Sequence, residues 1–173
     1  MSVVSHETNV DTPVKARAKR TYSGPGEFFA DQFYLVKNIG TVIRLSLRKQ
    51  VSPAFRERLM LAVISVYGCR YCTWLHTGEA LRAGVPEEEI TTLLEGSIDT
   101  CPEEEAVALL YAQHWADTNC RPDPSAVERL ESTYGHDMAR TIHVVLRMNR
   151  LGNLSGNTWD RFLHRVTFGR WRQ

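Results

Sequence analysis

The stretch of residues 52–84 constrains the fold of this 173-residue chain more than any other part of its sequence. It opens with serine followed by proline, the residue types preferred at the cap and first position of a helix. From Leu59 to Tyr67 nearly every helix face is apolar, which predicts a buried helix. Gly68 then ends that helix, because glycine readily adopts the left-handed backbone of a helix terminus. The sequence therefore predicts a buried central helix, a chain reversal and a second helix that stops near residue 84.

The remainder of the chain predicts helices as well, because no stretch shows sustained alternation of apolar and polar residues. Residues 27–49 would form one or two helices with a break near Gly40. Two Pro-Glu-Glu-Glu runs, at residues 86–89 and 102–105, place acids at the positive end of a new helix. Further helices are expected at residues 124–134, 137–151 and 156–166. We therefore expect an all-α fold of about seven to nine helices.

Composition limits the domain count and the classes of partner. Hydrophobic residues make up 43% of the chain, enough for one domain with a real core. The net charge of +1 gives no global attraction to nucleic acid or to an anionic membrane. Residues 1–25 are polar and predict a flexible arm before a single domain at 26–173. The amino terminus has no apolar core of a secretory signal, so we expect a cytoplasmic protein.

The strongest chemical signal is Cys69-Arg70-Tyr71-Cys72-Thr73-Trp74-Leu75-His76. On a helix, Cys69, Cys72 and His76 fall within an arc of about 60°. Cys72 and His76 are one turn apart, so the imidazole is placed to accept the thiol proton. The pair of thiols is placed to close a disulfide. This spacing predicts redox chemistry at the start of a helix, where the dipole lowers the pKa of a thiol.

A carboxylate on the preceding helix completes this set. Glu57 shares a stripe with Leu61 and Ile64, so it points inward and needs a partner. In a hairpin around Gly68, Glu57 lies about 16 Å back from the turn and His76 about 12 Å forward. The two side chains are therefore expected to meet, with the carboxylate holding the imidazole and the imidazole serving the thiol.

Two alternatives remain open from the residues alone. A cysteine on an apolar helix face is often only a small core residue, and the pair could also ligate zinc. A zinc site needs a fourth ligand, for which Glu57, Cys101 and Cys120 are the candidates, and the spacing selects none of them. The redox interpretation needs neither a metal nor a cofactor, and it is the one that we favour.

The motif also resembles a known family. The string Glu57-x11-Cys69-x-x-Cys72-x-x-x-His76, with the continuation Ala80-Leu81-Arg82-Ala83-Gly84-Val85-Pro86-Glu87-Glu88-Glu89-Ile90, is similar to the core of the alkylhydroperoxidase D family. That family belongs to the carboxymuconolactone decarboxylase-like superfamily. The close match covers about a quarter of the chain, from about residue 52 to about residue 95.

The resemblance implies an all-α, homo-oligomeric thiol peroxidase that reduces organic hydroperoxides through a CxxC disulfide cycle. It implies that Cys72 is the peroxidatic thiol, Cys69 the resolving thiol, and Glu57 with His76 the proton relay. A dithiol protein, lipoylated or thioredoxin-like, would supply the electrons. The decarboxylase branch of the superfamily lacks this cysteine pair, which argues against lactone decarboxylation.

Two further residues are candidates for the pocket. The best-known members of the family carry a histidine where this chain has Tyr71. A phenol donates hydrogen bonds but is a poor base at neutral pH, so the resemblance implies a shorter relay and a slower peroxidase. Asn149 shares an apolar stripe with Met138, Ile142 and Val145, where it would either face the pocket or be satisfied by backbone in the core.

Overall fold

The computed structural model describes residues 19–47, 51–168 and 170. These residues form eight α-helices and one short 3₁₀-helix, Glu103–Glu105, without a β-strand, which confirms the expected all-α fold. The α-helices are α1 (Pro25–Lys37), α2 (Ile39–Ser46), α3 (Pro53–Tyr67), α4 (Arg70–Arg82), α5 (Glu87–Glu95), α6 (Ala106–Asp117), α7 (Pro124–Tyr134) and α8 (His136–Val166). None of these helices combines the length and apolarity needed to cross a bilayer.

Helix α3 is the centre of the fold. The Ser52 hydroxyl accepts a hydrogen bond of 3.1 Å from the Phe55 N–H and caps the helix as predicted. All residues from Glu57 to Tyr67 are buried, because α4, α5, α6 and α8 pack around the helix. Each fully buried Leu, Ile or Val on such a helix stabilises the fold by about 1.5–3 kcal/mol. The apolar pattern of this segment therefore fixes the core.

A buried ion cluster ties α3 to the two acidic helix starts. Arg58 forms ion pairs of 2.6 Å with Glu89 and 3.2 Å with Glu105. The sequence explains these acids only as helix-start charges. In the fold they also neutralise a guanidinium that α3 carries into the interior, since a buried charge without a partner is costly.

Helix α8 corrects one prediction. The sequence predicts two helices, at 137–151 and 156–166, with a break between them, but residues 136–166 form one continuous helix. Each glycine in a helix costs about 1 kcal/mol relative to alanine. The buried face of α8, which packs against α1, α3 and α4, outweighs this cost. The break predicted near Gly40 lies two residues earlier: Gly40 is inside α2, and Asn38 separates α1 from α2.

The described part of the predicted arm lies against the helical domain. The Arg20 backbone N–H donates a hydrogen bond of 3.3 Å to the Tyr67 carbonyl, and its guanidinium pairs with Asp117 at 2.7 Å. The Tyr22 hydroxyl donates to the buried carboxylate of Asp31 at 2.8 Å. Residues 19–24 therefore run along the domain surface. The rest of the predicted arm, residues 1–18, lies outside the described residues.

Candidate active site

The turn between α3 and α4 places the first cysteine at a helix cap. Gly68 has a φ of +67°, in the left-handed region that favours glycine, and its N–H donates to the Ile64 carbonyl at 2.8 Å. Cys69 follows as the N-cap of α4, and its sulfur accepts a hydrogen bond of 3.3 Å from the Cys72 N–H. A thiol thus caps this helix, at a position where serine or aspartate is the usual residue.

The two sulfur atoms of Cys69 and Cys72, here called the dithiol pair, lie 2.6 Å apart as free thiols. The Cys72 thiol donates a hydrogen bond to the Cys69 sulfur. Cys69 is completely buried, whereas Cys72 is partly exposed. Only Cys72 of the two sulfurs is therefore open to a molecule that arrives from solvent.

Hydrogen bonding separates the pKa values of the two thiols. The pKa of Cys69 is lowered to about 7, mainly by the hydrogen bond from the Cys72 thiol, with help from the backbone N–H groups of Cys72 and Tyr71. The pKa of Cys72 is raised, because its thiol donates a hydrogen bond to Cys69 and because the Cys72 side chain is partly buried. The helix start alone predicts a lower pKa for a thiol at either position. In the fold, hydrogen bonding therefore favours ionisation of Cys69 over ionisation of Cys72.

Glu57 and His76 meet across the α3–α4 hairpin, where the sequence expects them. The Nδ1 of His76 lies 2.8 Å from Oε2 of Glu57, and the Arg56 guanidinium donates to Oε1 at 2.9 Å. Burial opposes ionisation of Glu57, but its hydrogen bonds with His76 and Arg56 outweigh burial, so its pKa is lowered. The ionised carboxylate orients the imidazole with its proton on Nδ1. Nε2 is then the basic nitrogen of the neutral ring.

A cavity of about 170 Å³ opens beside this pair. We call it the His76 cavity. Its wall is mostly apolar, with the Glu57–His76 pair at one side: Leu45, Ser46, Arg56, Glu57, Met60, Leu75, His76, Glu79, Val145 and Met148. Neither Tyr71 nor Asn149 lines it. The cavity suits an apolar group carrying a polar end that the imidazole can reach.

Asn149 does not face the cavity but is satisfied by backbone in the core, the second of its two predicted roles. Its side chain is buried, and its amide donates a hydrogen bond of 2.6 Å to the Met60 carbonyl on α3. Asn157, two turns further along α8, donates bonds of 2.9 Å to the Tyr67 and Arg20 carbonyls. These amides hold α8 against the middle and the end of α3. Sequence reasoning noticed the first of them but missed the second, although both lie at helical spacing on one face.

Gly156 allows α8 to approach the dithiol pair. A Cβ atom at this position would lie 3.0 Å from the Cys69 sulfur and 3.7 Å from the Tyr71 ring. The sequence gives no sign of this contact, since Gly156 is only the first residue of the helix predicted at 156–166. Its role follows only from the packing of α8 on α4.

We expect Gly156→Ala to destabilise the reduced protein, because the new methyl group would press on Cys69. Overpacking of this kind costs about 1–3 kcal/mol. Gly152→Ala is the matched control, because a Cβ there has nothing within 4 Å. It should stabilise the same helix by about 0.5–1 kcal/mol. Urea unfolding under reducing conditions measures both, and equal effects of the two substitutions would contradict the proposed contact.

The remaining cysteines lie in other surroundings. Burial raises the pKa of Cys101 to about 11, and the charged side chains of Glu89, Arg58 and Glu105 lie nearby. Cys120 lies in the loop after α6 with a φ of +66°, and burial raises its pKa too. Among the described residues, no group of three or more His, Cys, Asp and Glu side chains could hold a metal ion. The fourth ligand that a zinc site needs is therefore not found in the described part of the chain.

Fold and site together define an all-helical protein with a CxxC dithiol beside a buried Glu–His pair. Residues 35–114, from the end of α1 into α6, match the sequence model of the carboxymuconolactone decarboxylase family. That family lies in the superfamily of the alkylhydroperoxidase D-like proteins, so the match agrees with the resemblance that the motif indicated. The family includes enzymes such as alkylhydroperoxidase D and carboxymuconolactone decarboxylase. Comparison with curated proteins and with solved structures gave no significant match.

Proposed function

We propose that this protein is a thiol-dependent peroxidase that reduces organic hydroperoxides through the dithiol pair. The observation that carries the proposal is the 2.6 Å separation of the Cys69 and Cys72 sulfurs, one buried and one partly exposed. The Glu57–His76 pair, one helical turn along α4 from Cys72, supplies a base. The apolar His76 cavity, which neither cysteine lines, supplies a place for an alkyl group.

The first half of the cycle oxidises Cys72. Its proton passes to His76, whose imidazolium is stabilised by Glu57, or to Cys69. The Cys72 thiolate attacks the terminal peroxide oxygen and the O–O bond breaks. The leaving alkoxide takes up the proton that His76 or Cys69 accepted and departs as the alcohol. Cys72 becomes a sulfenic acid. Cys72 is the nucleophile because Cys69 is completely buried.

The second half closes and reopens the disulfide. The Cys69 thiolate attacks the sulfenic sulfur, the S–S bond forms, and hydroxide leaves and is protonated to water. The lowered pKa of Cys69 suits this step, because the thiolate is the attacking species. A dithiol protein, lipoylated or thioredoxin-like, then reduces the disulfide through a mixed disulfide. The cycle needs a reducing compartment, so we propose the cytoplasm as its location.

We further propose that the protein works as a homo-oligomer. A row of large apolar side chains is exposed along α1, α2 and the residue after α2: Phe29, Phe33, Val36, Ile39, Ile43 and Leu47. Trp74 on α4 is also 80% exposed. Apolar surface of this kind marks interaction sites in soluble proteins. Light scattering on the purified chain gives the subunit number.

The His76 cavity predicts selectivity for the alkyl group. Leu75 lines the cavity and is 48% exposed, so Leu75→Trp would narrow the space without disturbing the core. We expect kcat/KM for a bulky hydroperoxide to fall about tenfold, with little change for hydrogen peroxide. Leu81→Trp is the matched control, since Leu81 lies on the same helix, is 50% exposed and does not line the cavity. Equal losses for both peroxides would remove the cavity from the proposal.

Mass spectrometry after one equivalent of an alkyl hydroperoxide tests the function. We expect the reduced protein to lose two protons rapidly, with Cys69 linked to Cys72 in the peptide map. Recycling by a dithiol then separates a peroxidase from a redox sensor, which would be oxidised once without turnover. Inert thiols, with zinc retained by protein purified without chelator, would support a structural zinc protein instead.

A further inference from the structure

The carboxyl-terminal half of α8 brings a second buried carboxylate to the dithiol pair. Asp160 lies one turn after Gly156 on the face of α8 that packs on the first turn of α4. Its side chain is only 2% exposed. Gly156 contacts Cys69, and Asp160 contacts the two residues between the cysteines, so one face of α8 covers the first turn of α4.

Three donors converge on this carboxylate. The Tyr71 hydroxyl donates to Oδ1 at 3.0 Å, and Arg70 donates to the same oxygen at 2.9 Å. Lys19 approaches Oδ2 at 3.1 Å from the segment before α1. Arg70 also donates to the Tyr71 hydroxyl at 2.7 Å and lies over its ring. The residues that separate the two cysteines are therefore both tied to one buried acid.

We propose that Asp160 is a positioning residue for the dithiol pair. Through Tyr71 and Arg70 it fixes the first turn of α4, and its charge, balanced by Lys19, sets how readily Cys69 carries the negative charge of the reduced pair. The role follows from the contacts of Asp160, and its importance for turnover rests on the proposed peroxidase function.

The charges around Cys69 predict the direction in which each substitution should move the pKa of its thiol. On α4, Cys72 donates to Cys69, Arg70 is a cation, Tyr71 is a neutral phenol, and His76 lies further along the helix, paired with Glu57 of α3. The hydrogen bond from Cys72 lowers the pKa of Cys69, and the charge of Asp160, the anion on α8, opposes that lowering. The charge of Lys19 opposes that of Asp160.

Removing the carboxylate charge should therefore favour the Cys69 thiolate, and removing the lysine charge should disfavour it. A thiolate that is stabilised in the reduced form also makes the disulfide a stronger oxidant. The two changes are thus expected to move both the thiol titration and the reduction potential in opposite directions. A purely mechanical clamp, loosened by either substitution, would not produce opposite signs.

The test compares Asp160→Asn with Lys19→Met in the full chain. The pH titration of thiolate absorbance should shift down by about half a pH unit or more in D160N and up in K19M. The reduction potential, measured in glutathione buffers, should rise in D160N and fall in K19M. Arg20→Met is the matched charge control, because Arg20 pairs with Asp117 instead and should leave both readouts near the wild type.

Unchanged titrations in D160N and K19M, or shifts of the same sign, would overturn the proposal. Should D160N fail to fold, K19M decides alone, since Lys19 is a surface residue with a 30% exposed side chain. Neither readout requires a peroxide. A chain that titrates as expected but consumes no hydroperoxide would therefore contradict the peroxidase function and leave the role of Asp160 standing.

Discussion

Cys72→Ser is expected to reduce hydroperoxide consumption to background, a loss on the order of a thousandfold or more. Cys72 is the only sulfur of the dithiol pair that solvent reaches, because Cys69 is completely buried. A serine hydroxyl at this position cannot form the sulfenic acid. Coupled consumption of an alkyl hydroperoxide, with excess dithiol as the reductant, measures the effect.

Cys69→Ser should behave differently. Cys72 would still react once, but the sulfenic acid would persist because its resolving partner is missing. A sulfenic-acid probe followed by mass spectrometry should label Cys72 in this variant. Cys101→Ser and Cys120→Ser are the matched controls and should turn over normally. Full turnover in Cys72→Ser would exclude the assigned roles, and labelling at Cys69 instead would exchange them.

Glu57→Gln is expected to lower kcat/KM by about a hundredfold at neutral pH and to shift the pH profile of thiol reaction upward. Glu57 is buried and accepts a hydrogen bond from His76 at 2.8 Å. An amide would keep the shape of the side chain but would not stabilise the imidazolium that forms when the thiol proton leaves. Glu79→Gln is the matched control, because Glu79 lines the same cavity without pairing with His76.

The same substitution has a pH signature in stability. The pKa of Glu57 in the folded protein is lowered from its ordinary value of 4.5. The ionised carboxylate therefore stabilises the fold above that value, and this contribution disappears as the pH falls through the lowered pKa. The difference in unfolding free energy between the wild type and Glu57→Gln should be constant from neutral pH to about 4.5 and should narrow in more acidic solution. A constant difference throughout would show that Glu57 is not ionised in the fold.

Local signals predicted the elements around the site well. The serine–proline start, the apolar run and Gly68 are sufficient for α3 and its reversal, because capping and left-handed glycine are local properties. Helical spacing also brought Glu57 to His76 across the hairpin. The break predicted between residues 151 and 156 is wrong, since the helix propensity of single residues such as glycine is weak compared with the burial of a whole helix face.

The electrostatics of the dithiol pair did not follow from the sequence. The helix dipole predicts a lowered pKa for a thiol at the start of α4 without choosing between the two. In the fold, Cys69 is the cap that accepts hydrogen bonds and Cys72 is the donor, so the two pKa values move apart. Asp160 was missed for a related reason: it is 91 residues from Cys69 in the sequence, and no local pattern marks an acid on α8 as its neighbour.

The sequence by itself determined the all-helical class, the buried central helix, the CxxC–His motif and the carboxylate that meets it. These features depend on caps, helical periodicity and residue chemistry, which act over one or two turns. Only the tertiary structure decided which thiol is buried, which one holds the charge, and which residues of α8 press on them. Those properties depend on the approach of Gly156 and Asp160 to α4, a contact between distant segments that exists only once α8 has packed.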